Sequence, residues 1–122
     1  MYIFETDSYL DPQFSGDFYT HVIDSIVYPK QAKETLTGGV VVLNFNIDYE
    51  GMIDDVSVAQ SAGIRFDEAA VNAVQSYKKT IRHRPGGYSI AIVFCVAEKE
   101  YRPVVSEKVK KDGYVGELAV SD

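Results

Sequence analysis

Apolar residues first recur at helical spacing from Asp17 onward. Phe18, Val22 and Ile26 fall at i, i+4 and i+8, beside Tyr19, Ile23 and Val27, so one broad face is apolar. Ser15 or Asp17 can cap this helix. Pro29 ends it or forces a break, because the residue before a proline avoids the α region. The next stretch, PKQAKET, predicts a second short helix with proline in its first turn. TGG at 37–39 closes it. The period then changes. Val41, Leu43, Phe45, Ile47 and Tyr49 alternate with Asn44, Asn46 and Asp48, which predicts a strand. YEGM supplies a turn, with Gly51 available for positive φ. The return strand places Val56 and Val58 on one face and Asp55, Ser57 and Ala59 on the other. After SAG, the run FDEAAVNAVQSYKK sets Phe66, Ala69, Ala70, Ala73, Val74 and Tyr77 on one stripe of an amphipathic helix. Asp67 and Glu68 fall in its first turn and Lys78 and Lys79 in its last, as the helix dipole favours.

RHRPGG reads as a loop, and the last apolar run follows it: GGYSIAIVFCVAEKEY, residues 86–101. Here alternation fails. One face carries Ile90, Ile92, Phe94 and Val96, and the other Ala91, Val93, Cys95 and Ala97. The first face belongs against the helices. The second has no cover inside the predicted domain, which leaves a partner chain, a second copy or the chain's own tail. That tail is charged, with weak strand signals at Val104 and Val105 and again at 114–120.

The elements run α-α-β-β-α-β. An α+β fold buries these stripes together most simply, as a three-stranded antiparallel sheet with the helices packed on one face. Residues 1–16 form a lead-in, 17–98 the domain, and 99–122 a C-terminal extension that is either an added strand or disordered.

Composition narrows the function. The chain has 122 residues, 46% of them hydrophobic, enough for one core. Its net charge of −6 argues against nucleic acid as a partner, because phosphate binding needs clustered positive surface. The one dense basic cluster is Lys78, Lys79, Arg82, His83 and Arg84. It suits a helix C-terminus, or a positive rim for an acidic peptide. The single cysteine allows no internal disulfide. Cys95 lies in an apolar strand, where cysteine acts as a small hydrophobe. His21 has Asp24 three residues away and no other partner in reach by sequence. Asp54 and Asp55 point to opposite faces of a strand, and DYEGMIDD lacks calcium-loop spacing, so it reads as a solvated hairpin tip. No catalytic, cofactor or metal-ligating constellation stands out, and the chain is read as a non-enzyme.

The ordered set of motifs resembles the TonB C-terminal domain family. Tyr28-Pro29, Gly39, Phe45, Gly51, Val56, Ser61, Gly63, Phe66, Asp67, Ala69, Ala70, Ala73, Val74, Pro85 and Gly86 occupy that pattern, over about residues 12–97. Three features depart from it. There is neither a membrane anchor nor a Pro-rich spacer, no aromatic precedes the P-G turn, and roughly 25 residues follow the last strand.

The resemblance implies a periplasmic, non-enzymatic module of an inner-membrane-anchored protein, the anchor and the motor contacts it makes being absent from this chain. Such a module grips the N-terminal box peptide of an outer-membrane transporter by adding it as a strand to the last strand of the sheet. Carried onto this chain, the receiving residues are Tyr88, Ser89, Ile90, Ala91, Ile92, Val93, Phe94, Cys95 and Val96. Arg82 and Arg84 flank them. A second reading is a TolA-like interaction or regulatory module that pairs with itself through an exposed edge, giving a homodimer without energy transduction. A third is that YVGELAVSD folds back and caps the edge.

Overall fold

The computed structural model describes residues 2–4, 16–27, 39–95 and 113–121. The elements are β1 (Tyr2–Phe4), α1 (Gly16–Ser25), β2 (Gly39–Ile47), β3 (Ile53–Gln60), α2 (Ile64–Gln75), β4 (Gly86–Cys95) and β5 (Tyr114–Ser121). The predicted short helix in PKQAKET, with Tyr28 and Pro29, lies outside the described residues.

The sheet corrects the expected three-stranded antiparallel architecture. It has five strands in the order β1-β5-β4-β2-β3. The expected hairpin and last strand are there: β2 pairs antiparallel with both β3 and β4. The tail then adds β5, parallel to β4, and Tyr2–Phe4 of the expected lead-in pairs antiparallel with β5. A strand that is apolar on both faces suits the interior of a sheet better than its margin, and β5 puts β4 there.

The helices cover one face. Phe18, Val22, Ile23 and Ile26 around α1, with Phe66, Ala70, Ala73 and Val74 of α2, meet Leu43, Phe45, Ile90, Ile92 and Phe94 in one core. Aromatic rings fasten it. Phe18 meets Tyr77 edge-on at 5.4 Å and Phe66 lies 4.8 Å from Phe94. Val115, Leu118 and Val120 of β5 enter the same core, so β5 is built into the domain. The other face is buried too, at Val42 and Ala91, with Val40 and Tyr114 packed against them.

Local chemistry sets the element ends. Asp67 reaches back from the first turn of α2 and accepts from the Ser61 hydroxyl (2.5 Å) and the Ala62 amide (3.0 Å). This holds the SAG turn against the helix start, in the manner of a capping box. α2 ends at Gln75, earlier than predicted. Ser76 turns its amide to Asn72 O and its hydroxyl to Ala73 O (2.9 Å). Lys78 and Lys79 therefore lie beyond the last helical turn. At the hairpin tip, Asp48 accepts from the Glu50 and Met52 amides, both at 2.9 Å. β2 ends before Tyr49, which is 96% exposed in the turn instead of continuing the apolar face.

Candidate functional site

The predicted receiving strand has neighbours on both sides. The Ser89 amide donates to the Gly113 carbonyl at 2.9 Å. Backbone groups alternate sides along a strand, so Ala91 and Val93 also point their amides toward β5, while Ile90, Ile92 and Phe94 point theirs toward β2. The edge that the sequence left open to a peptide, a second copy or the tail is thus taken by the tail. The backbone of Cys95 pairs with Ser121; the Cys95 side chain and Val96 lie outside the described residues.

β5 is seated with a bulge. Its register against β4 slips between Ser89 and Ala91, which pair with Tyr114 and Glu117. Gly116 takes φ 141 there, a backbone region open to glycine. The bulge re-aims the Val115 carbonyl, which accepts from the Tyr19 hydroxyl of α1. Tyr19 is buried and ties the helix layer directly to β5, a role its place on an apolar stripe did not reveal. Glu117 is 1% exposed and pairs with Ala91 on the face away from the helices. The entry to β5 is just as close. An ideal Cβ on Gly113, whose φ is 86, would stand 2.5 Å from Gly87 O.

The opposite margin of the sheet is different. β3 is mostly exposed and carries two register slips against β2. At one of them Asp55 adopts φ 50. Asp54 is bonded across the pair by Asn46 Nδ2 at 2.9 Å. Bulges and acids on an outer strand discourage pairing with another chain.

The loop before β4 is rigidly held. Ile81 N donates to Gly51 O at 2.7 Å, tying the loop to the hairpin tip. The Tyr88 hydroxyl donates to the Arg84 carbonyl. It therefore accepts from His83 Nδ1, 2.8 Å away. Tyr88 in turn stacks on Phe45 at 6.0 Å. Arg82, Arg84 and Pro85 are exposed. Among the glycines of the motif, Gly39 lies so near Ala62 that a Cβ would come within 2.8 Å of the alanine methyl. Gly51 and Gly63 have φ of 86 and 116, and Gly86 has 145.

His21 is not paired with Asp24. Its Nε2 lies 2.7 Å from Ser76 Oγ and 3.3 Å from Ser25 Oγ, with the ring edge-on to Tyr77 at 5.3 Å. His21, Ser76 and Tyr77 border an open pocket of about 440 Å³ with Asp17, Asp24, Lys78 and Lys79. Because Ser76 gives its proton to Ala73 O, His21 acts toward it as a donor, the reverse of what nucleophile activation needs. Among the described residues no group of histidine, cysteine and acidic side chains could hold a metal ion.

Comparison with known proteins gives the site its context. The family model described as "Gram-negative bacterial TonB protein C-terminal" matches residues 24–95. The chain belongs to the TonB C-terminal family. No curated protein matches. Among solved structures, the NMR solution structure of Helicobacter pylori TonB-CTD (residues 194–285) is similar at 24% identity with a TM-score of 0.55, covering 67% of this chain and 92% of that one. At that identity the likeness bears on the fold. TonB C-terminal domains are non-catalytic interaction domains, periplasmic in Gram-negative bacteria, and interact with outer-membrane transporters. The TonB match ends at β4, so β5 and β1 both lie outside it.

Proposed function

We propose that this chain is the periplasmic, transporter-gripping part of a TonB-type energy transducer. It binds the N-terminal box segment of an outer-membrane transporter by strand addition at β4, and thereby couples the inner-membrane proton motive force to uptake. The observation that carries this reading is β5 itself. A strand from outside the family-matched region is added in parallel to β4 and donates three apolar side chains to the core. The edge of β4 thus has the geometry to accept an extended segment, and strand addition supplies affinity through the backbone and selectivity through side-chain pockets. Binding of a box peptide requires β5 to leave, so β5 is a competitor the peptide must displace. The link to a motor would run through a membrane anchor; no helix among the described residues is long and apolar enough to cross a membrane.

The test is a titration of labelled peptides from transporter N-termini against the full chain, followed by NMR. Binding should shift the Ala91 and Val93 amides more than those of Ile90 and Ile92. The substitution Val93→Pro removes an amide that faces the added strand and should abolish binding while leaving the pairing with β2. No binding by any peptide, together with a concentration-dependent dimer, would favour the self-associating module instead.

A further inference from the structure

A second concave surface lies where α1 packs across the end of α2. It is the open pocket of about 440 Å³ beside His21, and none of its lining residues belongs to β4 or β5. Its volume falls in the range of small-molecule sites. One wall is α1. Asp17, His21 and Asp24 recur there at i, i+4 and i+7 and so share one face of the helix. The other wall is the chain that follows α2, with Lys78 and Lys79 side by side. The two aspartates and two lysines are exposed, and none of them makes an ion pair with any described residue. Opposite charges thus line the two walls of one cleft without closing it.

The floor between the walls is fixed. His21 Nε2 lies 2.7 Å from Ser76 Oγ and joins one wall to the other. Tyr77 is 5% exposed, with its ring edge-on to both Phe18 and His21. The cleft is therefore formed before a ligand arrives, which cuts the cost of ordering it. Its hydrogen bonding also has a direction. Ser76 gives its proton to Ala73 O, so the proton between Ser76 and His21 sits on Nε2, and Nδ1 of the neutral ring is left as an acceptor. The α1 wall offers acceptors in Asp17, His21 and Asp24. The opposite wall offers the ammonium donors of Lys78 and Lys79.

This polarity disfavours ligands of one sign. A cation drawn to the aspartates meets two lysines, and an anion drawn to the lysines meets two aspartates; like charges brought together oppose binding. A dipolar ligand satisfies both walls. We propose that this cleft binds a small zwitterion, a short peptide with both termini free. Its ammonium lies toward Asp17 and Asp24, and its carboxylate toward Lys78 and Lys79. The site is separate from strand addition at β4 and stands or falls without it.

Dialanine, N-acetyl-dialanine and dialanine amide, titrated into the full chain and followed by NMR, test this. Dialanine should shift the amides of His21, Asp24, Lys78 and Lys79 to saturation and leave those of Ala91 and Val93 unmoved. Each blocked peptide lacks one terminal charge and should bind about two- to fivefold more weakly, the range for one exposed charge pair. Added salt should narrow the gap. The double variant Asp17→Asn, Asp24→Asn should erase the preference over the acetylated peptide, and Lys78→Gln, Lys79→Gln the preference over the amide. All four side chains are exposed, so both variants should keep the circular dichroism of the parent chain. Equal affinity for the three peptides overturns the dipolar reading. Shifts that do not saturate, or that appear only along β4, overturn the site. Preferences that survive in the double variants overturn the assignment to these four residues.

Discussion

Replacing Gly113 by alanine should loosen β5 without unfolding the rest of the domain. Gly113 has φ 86, a conformation that costs an L-residue about 1–2 kcal/mol. Its new methyl would stand 2.5 Å from the Gly87 carbonyl oxygen and 3.4 Å from Tyr88 Cα. The first distance is far inside contact, and the obstacle is backbone, so the two chains must part. Parting them breaks the bond from Ser89 N to Gly113 O and leaves buried groups unsatisfied, at about 1–3 kcal/mol. The sum is about 2–5 kcal/mol, and each 1.4 kcal/mol is tenfold in population, so β5 should be detached roughly thirtyfold to a few thousandfold more often. Amide hydrogen exchange reads this directly. Protection should fall at Ser89, Ala91 and Val93, whose amides face β5, and hold at Ile90 and Ile92, whose amides face β2. Unchanged protection at Ala91 and Val93 would refute the reasoning about the Gly113 contact. An equal loss at all five would refute the claim that β5 leaves as a separate unit.

Other substitutions probe the supports of the same arrangement. Tyr19→Phe removes the hydroxyl that reaches the Val115 carbonyl and should cost about 1–2 kcal/mol by urea denaturation; a change within error would show that the bond contributes nothing. Asp67→Ala leaves the Ser61 hydroxyl and Ala62 amide without their carboxylate and should cost about 1–2 kcal/mol, as for the loss of a helix cap. Phe94→Ala opens a hole beside Phe66 in the centre of the core and should cost about 3–5 kcal/mol, measured by thermal or denaturant unfolding. Phe94→Pro removes an amide facing β2 and should unfold the domain, whereas Val93→Pro should affect the β5 side alone; circular dichroism of the two separates them.

Much of the domain was legible because its signals are local. The stripe from Phe66 to Val74 is the buried face of α2, and the alternation from Val41 to Ile47 is the buried face of β2. Gly51 takes the positive φ assigned to it. Boundaries were less legible. Tyr49 continued the alternation on paper, but the Asp48 carboxylate closes the turn one residue earlier. Periodicity carries Lys78 and Lys79 into a helix that Ser76 ends. Sequence puts Asp24 within reach of His21, yet His21 meets Ser76 at the end of the other helix, a contact that exists only once α1 packs across the end of α2.

The sequence by itself determined α1 and α2, the hairpin, the α+β class and the family resemblance, because side-chain periodicity and turn chemistry act over a few residues. It also posed the right problem at β4, a strand too apolar for a half-buried margin. Only the tertiary structure decided the answer. The tail carries weak strand signals and the first residues read only as a lead-in, and a strand with little signal of its own forms where an open ladder of backbone donors and acceptors is offered to it. Whether that ladder is filled by residues 114–121, by another copy or by a transporter peptide depends on competition for one edge. Hydrogen bonding along that edge reads backbone, which every one of these segments possesses, so no local pattern in any of them could settle which is bound.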